Sequence, residues 1–306
     1  MHKPNNTMTK MILRYFFPNF FFLIFLCSDV FAQDFIDLFS AGSNIVPKNK
    51  YETTEGSFRM VSSYINLQYP HVFKNKDIFL TKVSFNNYNI KDDSTVNLYI
   101  TYLQLGVQKN FNDKTSLKLS VVSKMANQLT DIDKNDFVFP CTAMLQHKKS
   151  ENFTYGFGLF YSREMFGHFM FPIIHAKWKI NDAWFFYADF PIYGYLMYYP
   201  KEKFKTGIYI STSTNSIRLA EKYNNNYIQK SYADFSLFFD YYFTKHIVLR
   251  AKGGYSIMRS MDMYSKDETV PLTFSAFKFG DNRTQLNDNI HDAPFFEISL
   301  IYRYHY

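Results

Sequence analysis

The sequence predicts an all-β fold, an antiparallel transmembrane β-barrel of 12 strands, with 14 strands as the alternative. From about residue 56 onward, apolar and polar side chains alternate with a period of two residues, which is typical of strands with two different faces. Past residue 32, no apolar run approaches the roughly 20 residues that a membrane-spanning helix needs. Aromatic residues make up 20% of the 306 residues, more than an ordinary soluble core requires.

The start of the chain has the order of parts found in a secretory signal peptide. A basic beginning is followed by an apolar stretch over residues 15–26. Val30-Phe31-Ala32 then offers short side chains where a signal peptidase reads, so cleavage is expected before Gln33. A retained helical anchor is one alternative. A lipoprotein modified at Cys27 is another, which the large Leu26 argues against.

These features define the predicted domains. Residues 1–32 are the signal peptide, residues 33–55 a periplasmic lead-in without a strong pattern, and residues 56–306 the outer-membrane β-barrel. Nothing resembles a linker rich in Pro, Gly or Ser, so a single domain is expected. After cleavage only Cys141 remains, and one cysteine cannot form an internal disulfide.

The clearest strand runs from Thr115 to Met125. One face carries Leu117, Leu119, Val121 and Met125, and the other carries Ser116, Lys118, Ser120 and Lys124. Residues 153–162, 172–180, 232–243 and 247–257 repeat this alternation. A Lys or Arg facing lipid at mid-membrane costs about 2–4 kcal/mol, whereas one in a wet lumen costs little. A soluble β-sandwich would also alternate, but aromatic residues gathered near strand ends favour the girdles of a membrane barrel.

The last segment ends on an aromatic residue and is apolar at every second position. Those positions are Phe296, Ile298, Leu300, Tyr302, Tyr304 and Tyr306. This looks like the C-terminal signal by which the barrel-assembly machinery recognises its clients. The chain is therefore expected in the bacterial outer membrane, in contact with its lipid and with the C-terminus on the periplasmic side. Short turns are then periplasmic, and the long segment 262–294 is external.

The strand count depends on Ala183 to Tyr199. Counted as one strand, this stretch gives 12 strands but places a turn on the wrong side of the membrane. Counted as two strands that reverse near Pro191, it requires an additional strand near the N-terminus and gives 14. A bend at Pro191 is physically reasonable because proline cannot donate to a ladder. Two strands of about eight residues would, however, be short for a bilayer that takes about 9–11. Twelve is therefore the prediction.

Ten charged residues are predicted to line the lumen: Lys118, Lys124, Lys177, Lys179, Asp234, Asp240, Arg250, Lys252, Glu297 and Arg303. Cations exceed anions among them, so an open lumen would favour anionic solutes. Alternatively the charges pair across neighbouring strands and fill a narrow barrel, for instance Asp234 or Asp240 with Arg250 or Lys252.

The sequence predicts no enzyme, catalytic residue, cofactor or metal site. Metal-ligand spacings, calcium loops and glycine-rich phosphate loops are missing from it. His168 and His291-Asp292 fall in or near external loops, yet neither has a Gly-framed Ser or a paired acidic motif beside it. The net charge of +7 is spread along the chain without a Lys/Arg stripe, so nucleic acid is not expected as a partner.

The chain resembles an uncharacterised family of outer-membrane β-barrel proteins found in Bacteroidota-type bacteria. The resemblance rests on residues 171–174, residues 178–184, Phe190-Pro191 and the final segment 296–306. It covers about residues 56–306 and implies location and fold, without a known activity. Departures are expected in the loops, where ligand specificity commonly lies.

Three functions follow in order of preference. The first is a structural or surface-binding barrel, expected if the luminal charges are paired and the long loop covers the mouth. The second is a small channel with a mildly anion-favouring lumen. The third is an outer-membrane hydrolase, which needs an Asp/His or Ser/His pair at the rim. The solute or surface ligand, the oligomeric state and the role of residues 263–293 are not determined by the sequence.

Overall fold

The computed structural model describes residues 35–92 and 94–305. The predicted signal peptide and the terminal Tyr306 lie outside these residues. The described chain consists of strands β1 Phe35–Lys50, β2 Ser57–Val72, β3 Ile78–Lys91, β4 Thr95–Asn110, β5 Thr115–Asn127, β6 Phe137–Val138, β7 Cys141–Ser150, β8 Phe153–Glu164, β9 Gly167–Lys179, β10 Trp184–Phe190, β11 Tyr193–Lys201, β12 Phe204–Arg218, β13 Tyr227–Tyr242, β14 Ile247–Tyr264, β15 Val270–Phe274, β16 Phe277–Phe279 and β17 Ala293–His305. Short 3₁₀ turns lie at Lys134–Asp136 and Glu221–Tyr223.

The sheet closes on itself as an antiparallel barrel. Each long strand pairs with the next along the chain, and β1 pairs with β17 from Phe35↔His305 to Ile45↔Phe296. Fourteen strands form the wall, since β6, β15 and β16 are short additions to it. Closure leaves no unpaired sheet edge between the first and last strands. The all-β antiparallel barrel is therefore confirmed, and the prediction of 12 strands is wrong.

The two additional strands lie where the sequence pattern is weakest. Residues 35–50, predicted as a lead-in, form β1, which bonds to β17 on one side and to β2 on the other. Its alternation is obscured by the polar run Ser40–Asn44. Residues 183–199 form two strands that reverse after Phe190, as the 14-strand alternative required. Their short length does not prevent pairing because β9 and β12 support the hairpin on both sides.

Part of the connection between β14 and β17 pairs with the barrel wall beyond the turn of the β10–β11 hairpin. β15 pairs in parallel with the first residues of β9, from Val270↔Gly167 to Phe274↔Met170, and β16 pairs with β15. Gly167 has φ +115°, and a Cβ there would overlap the Val270 carbonyl oxygen. A glycine is thus required where β15 approaches β9. Residues 270–279 of the long segment predicted to be external are accordingly a two-stranded extension of the wall.

The outer surface of the barrel is apolar and aromatic. Phe157, Phe239 and Phe296 are each more than 60% exposed. On β5, Leu119 and Val121 are exposed while Lys124 is buried inside, which is the alternation read from the sequence. The described residues contain no helix long and apolar enough to cross a membrane.

The two ends of the barrel differ in their connections. We call the end that carries Phe35 and His305 the terminus end, and the opposite end the loop end. Connections at the terminus end have two to five residues. Those at the loop end include residues 128–140, 219–226 and 265–292. The longer segments fold back over the loop end and, together with inward-facing side chains, fill it.

Candidate functional site

An apolar core closes the loop end of the lumen. Ile217 on β12 and Leu98 on β4 are completely buried in one cluster, although they approach it from different sides of the barrel. The other buried members are Val46, Phe58, Met60, Ile100, Ala126, Leu219, Met261, Ile290, Ala293 and Phe295. Burial of apolar side chains contributes about 25 cal/mol per Å² of area removed from water, so this packing stabilises a closed end.

A buried ion pair fastens β12 to the opposite wall. Lys124 on β5 donates to both oxygens of Glu164 on β8, each at 2.7 Å. The Glu164 carboxylate also accepts the backbone N–H of Ser216 at 3.1 Å and its hydroxyl at 2.6 Å. Lys124 donates further to Asn215 at 3.2 Å. β12 lies four strands from β8 in the barrel wall. Lys124 and Glu164 connect these parts of the wall inside the lumen, and each neutralises the charge of the other.

A second ion pair holds the segment between β5 and β7. Arg218, at the end of β12, donates to both carboxylate oxygens of Asp136, which is 1% exposed. The same guanidinium bonds to Asn225 and to the Asp131 carbonyl. Burial acts to raise the pKa of Asp136, but the hydrogen bond from Arg218 and the N–H of Asp133 hold it below its usual range. The carboxylate therefore stays charged and keeps its bond to Arg218.

A network of buried charges lies near the terminus end. Arg303 has a fully buried side chain that bonds to Asp37 at 2.6 Å and to Asp240 at 3.1 Å. Arg250 forms a two-point bond to the same Asp240 at 2.6 and 2.7 Å. Tyr242 accepts a hydrogen bond from Arg303 at 2.6 Å. Two cations thus face two carboxylates in planar pairs, an arrangement that charge-assisted hydrogen bonds favour.

Between the packed loop end and the Arg303 network, tyrosines line the lumen. Tyr187, Tyr193, Tyr195 and Tyr209 form a continuous stack, with ring centroids 5.5–6.5 Å apart and ring planes within about 20° of parallel. All four are only partly buried, so their rings border internal space. β10, β11 and β12 position them because Tyr187, Tyr195 and Tyr209 are direct cross-strand partners.

A polar cluster stands beside the tyrosines. The Asp189 carboxylate contacts His175 Nδ1 at 2.7 Å and accepts the Tyr187 hydroxyl at 2.7 Å. Lys118 on β5 lies near enough to Asp189 to interact with its charge. Gln146 on β7 is buried, and its Nε2 has no hydrogen-bond partner among the described residues. An unpaired buried amide of this kind costs about 1–3 kcal/mol unless a ligand or water satisfies it.

The structure places the ten predicted luminal residues on inward positions. Asp240 pairs with Arg250, as the paired alternative suggested, whereas Lys252 pairs with Glu297 at 3.1 Å. Lys179 lies at the rim and pairs with Asp182. The others are Lys118, Lys124, Lys177, Asp234 and Arg303. They do not form one site, because they divide among the packed loop end, the Arg303 network and the tyrosine-lined middle.

Several partners of these residues were missed by sequence reasoning. Glu164, Asp136 and Asp37 complete ion pairs with residues 40, 82 and 266 positions away. Asp189 lies in the ambiguous stretch 183–199, so its facing direction was not assigned. The alternation along β8 places Glu164 on the inward face, whereas Asp37 faces inward because of the register shift between Asp37 and Phe39, which the sequence does not reveal. Nothing local could have shown which cation each would meet.

The residues weighed for hydrolysis contact neighbouring residues at the loop end of the barrel. His168 Nδ1 lies 2.9 Å from the Tyr161 hydroxyl, and Asp292 accepts the backbone N–H of Arg259. Within residues 35–92 and 94–305, no group of three metal-ligating side chains is found. The predicted assembly-signal residues Phe296, Ile298, Leu300, Tyr302 and Tyr304 all point outward and are exposed. Their recognition by an assembly machinery stays a prediction.

A protein-family model described as "Domain of unknown function (DUF6268)" matches residues 36–302. The chain belongs to this family. The matched region starts inside β1 and ends inside β17, so the family unit is the whole closed barrel, including the strand that sequence reasoning left out. No curated protein matched the sequence of this family member.

Several solved structures are similar to this DUF6268 barrel. An outer membrane channel from Pseudomonas putida F1 has a TM-score of 0.44 and 6% identity, covering 92% of this chain and 100% of its own. The NanC porin gives 0.37 and 9%, with 86% and 98% covered. The TodX monoaromatic hydrocarbon channel gives 0.39 and 9%, with 88% and 90% covered. At TM-scores below 0.5 these likenesses support no functional argument.

Proposed function

We propose that the protein is an outer-membrane barrel whose resting state does not conduct, and that it acts as a structural or surface-binding barrel. The observation that carries this proposal is the packed core at the loop end, where Ile217 and Leu98 are both completely buried. Water-filled conduction needs a continuous polar path. A dry apolar cluster joining β12 to β4 removes that path at one end.

The charges inside the barrel support the same function. Arg303, Arg250, Lys252 and Lys124 each have a carboxylate partner within 3.1 Å. Paired charges hold neighbouring strands together and attract few mobile ions. These pairs offset most of the cationic excess that would make an open lumen anion-selective.

Membrane insertion and orientation are part of the proposal. The exposed outer face, with its Phe, Tyr, Leu and Ile side chains, is suited to hydrocarbon and unsuited to water. Short connections at the terminus end and long ones at the loop end fit a barrel with the terminus end in the periplasm. The loop end, with residues 265–292 folded across it, then forms the surface available to external partners.

Planar-bilayer recording of the refolded, heat-modifiable barrel tests the proposal. We expect no stable single-channel steps at neutral pH and moderate voltage, because the loop-end core stays packed. Heat modifiability on an electrophoretic gel shows that the sample is a folded barrel. Reproducible steps from such a sample would overturn the proposal and favour the second candidate, a small channel.

The channel candidate is kept because the tyrosines that line the middle of the lumen are only partly buried. If steps appear, their ion selectivity in a salt gradient identifies the conducting path. Anion preference that disappears in a Lys118→Gln variant would place the path along β5, through the middle of the lumen. Unchanged selectivity in that variant would place it elsewhere.

A further inference from the structure

Small residues face the lumen on four neighbouring strands, and we call this part of the inner wall the recess. Gly106 on β4, Ser120 on β5, Thr142 on β7, and Gly156 and Gly158 on β8 occupy inward positions, each between outward-facing residues. A Cβ at Gly156 would lie 3.1 Å from Gln146 Cγ and 3.2 Å from His175 Cβ. The missing side chain at Gly156 therefore lets those two polar residues approach from neighbouring strands.

The recess presents donors that lack acceptors. Gln146 Nε2 is buried and unpaired, and Lys118 makes no salt bridge within 4.0 Å to a described residue. The Asp189 carboxylate, whose charge acts on Lys118, is already used by His175 at one oxygen and by Tyr187 at the other. Because a buried ammonium and a buried amide both need acceptors, these two donors are suited to an anion with at least two oxygens.

An aromatic surface adjoins these donors. Tyr187, whose hydroxyl donates to Asp189, is stacked with Tyr193 and Tyr195 at centroid distances of 5.5 and 5.6 Å. The three rings are partly exposed toward the lumen. Flat rings gain about 0.5–1.5 kcal/mol from stacked or edge contacts with aromatic side chains, beyond the area they bury.

We propose that this recess is a binding site for a small carboxylate that carries a ring, with Lys118 and Gln146 contacting the carboxylate and the tyrosine stack contacting the ring. Lys118 lies three residues into β5 from its start at the terminus end, and His175 lies four residues from the end of β9 there. The core around Ile217 closes the loop end, and the Arg303 network lies on β1, β13, β14 and β17, away from β5 and β9. A ligand would therefore reach the site from the terminus end, along the side of β5 and β9. The site goes beyond the proposed structural role.

Isothermal titration of the folded barrel in detergent micelles tests the site, with benzoate as the probe. Acetate supplies the carboxylate without a ring, and benzyl alcohol supplies the ring without a charge. We expect benzoate to bind at least tenfold more tightly than either one. In Lys118→Gln and in Gln146→Leu, benzoate affinity should fall about tenfold or more, because the first variant removes the ammonium charge and the second removes the amide donor, each with a side chain of similar size.

The matched control is Lys109→Gln, which removes the same charge at an exposed position paired with Asp77. Benzoate affinity should not change in that variant. The site is wrong if the folded wild-type barrel does not bind benzoate, or if Lys118→Gln and Gln146→Leu bind it as the wild type does. Neither result depends on conductance: a barrel that conducts can still bind benzoate, and one that binds no benzoate can still be sealed.

Discussion

At the scale of single residues, the buried charges are held by partners far away in sequence. Arg303 has no exposed side-chain surface and contacts carboxylates on β1 and β13. Its position near the last residues of the chain means that barrel closure has to occur before the network is complete. Stability and closure are therefore linked through this one guanidinium.

Replacing Arg303 by Met tests that link. The substitution leaves Asp37 and Asp240 with one cation fewer, and removing one partner of a buried pair typically costs about 3–5 kcal/mol. We expect the free energy of unfolding in urea to fall by about that amount. Lys148→Met is the control, because Lys148 and its partner Glu151 are exposed and such pairs contribute about 1 kcal/mol or less. Equal losses in the two variants would contradict this role for Arg303.

A loop carboxylate shows how pH acts on a single residue. Asp288 accepts the backbone N–H groups of Thr53 and Thr54 at 3.1 and 2.8 Å. Partial desolvation acts to raise its pKa, but these bonds lower the pKa to about 2. Because the folded pKa lies below the ordinary value of 3.8, the link is fully present above about pH 4 and is lost as the pH falls through about 2.

Amide hydrogen exchange of Thr53 and Thr54 measures that link. Both amides should be protected at pH 4 in the wild type, since Asp288 is still ionised there. In Asp288→Ala the two amides should exchange at close to their unprotected rates at every pH. Protection that persists in Asp288→Ala would show that other contacts hold the connection between β1 and β2.

At the scale of elements, the alternation of residues was sufficient to assign the faces of β5, β8, β13, β14 and β17. It was insufficient where a strand is short or carries small polar residues on both faces. β10 has seven residues, and β1 contains Ser40-Ala41-Gly42-Ser43-Asn44. Whether such segments form strands depends on pairing with neighbouring strands of clear alternation. The neighbours of β1 are known only once the barrel closes. The luminal pairs share this difficulty, since residues 37 and 303 meet only through closure.

The extension formed by β15 makes a separate prediction at this scale. Gly167→Ala introduces a methyl group against the Val270 carbonyl and strains a positive φ, which together cost about 1–3 kcal/mol. We expect the β15 segment to detach, so that the amides of Val270 and Ser275, bonded to Phe166 and Met170, lose protection. Gly253→Ala is the control, because its Cβ would meet only Phe296 ring carbons at ordinary distance. Retained protection in Gly167→Ala would show that β15 tolerates a side chain there.

At the scale of the whole molecule, the barrel is divided along its axis into three zones. The loop end is packed and apolar, the middle is polar and lined by tyrosines, and the terminus end is bound by the Arg303 network. Beyond Thr212, the loop-end residues of β12 have no strand partner on the β11 side among the described residues. On that edge of β12, the Glu164 carboxylate takes the place of a strand partner by accepting the Ser216 N–H.

Removing that carboxylate is therefore expected to open the barrel. In Glu164→Ala, Lys124 loses its counter-ion and the Ser216 N–H loses its acceptor. Both groups are then more stable when hydrated than when buried. Water reaches them if β12 moves away from β5. We expect planar-bilayer recordings of the folded variant to show steps that the wild type lacks. Glu151→Ala, which removes an exposed carboxylate at the terminus end, should stay silent. A folded, silent Glu164→Ala barrel would mean that the apolar core around Ile217 and Leu98 seals the loop end without help from the buried ion pair.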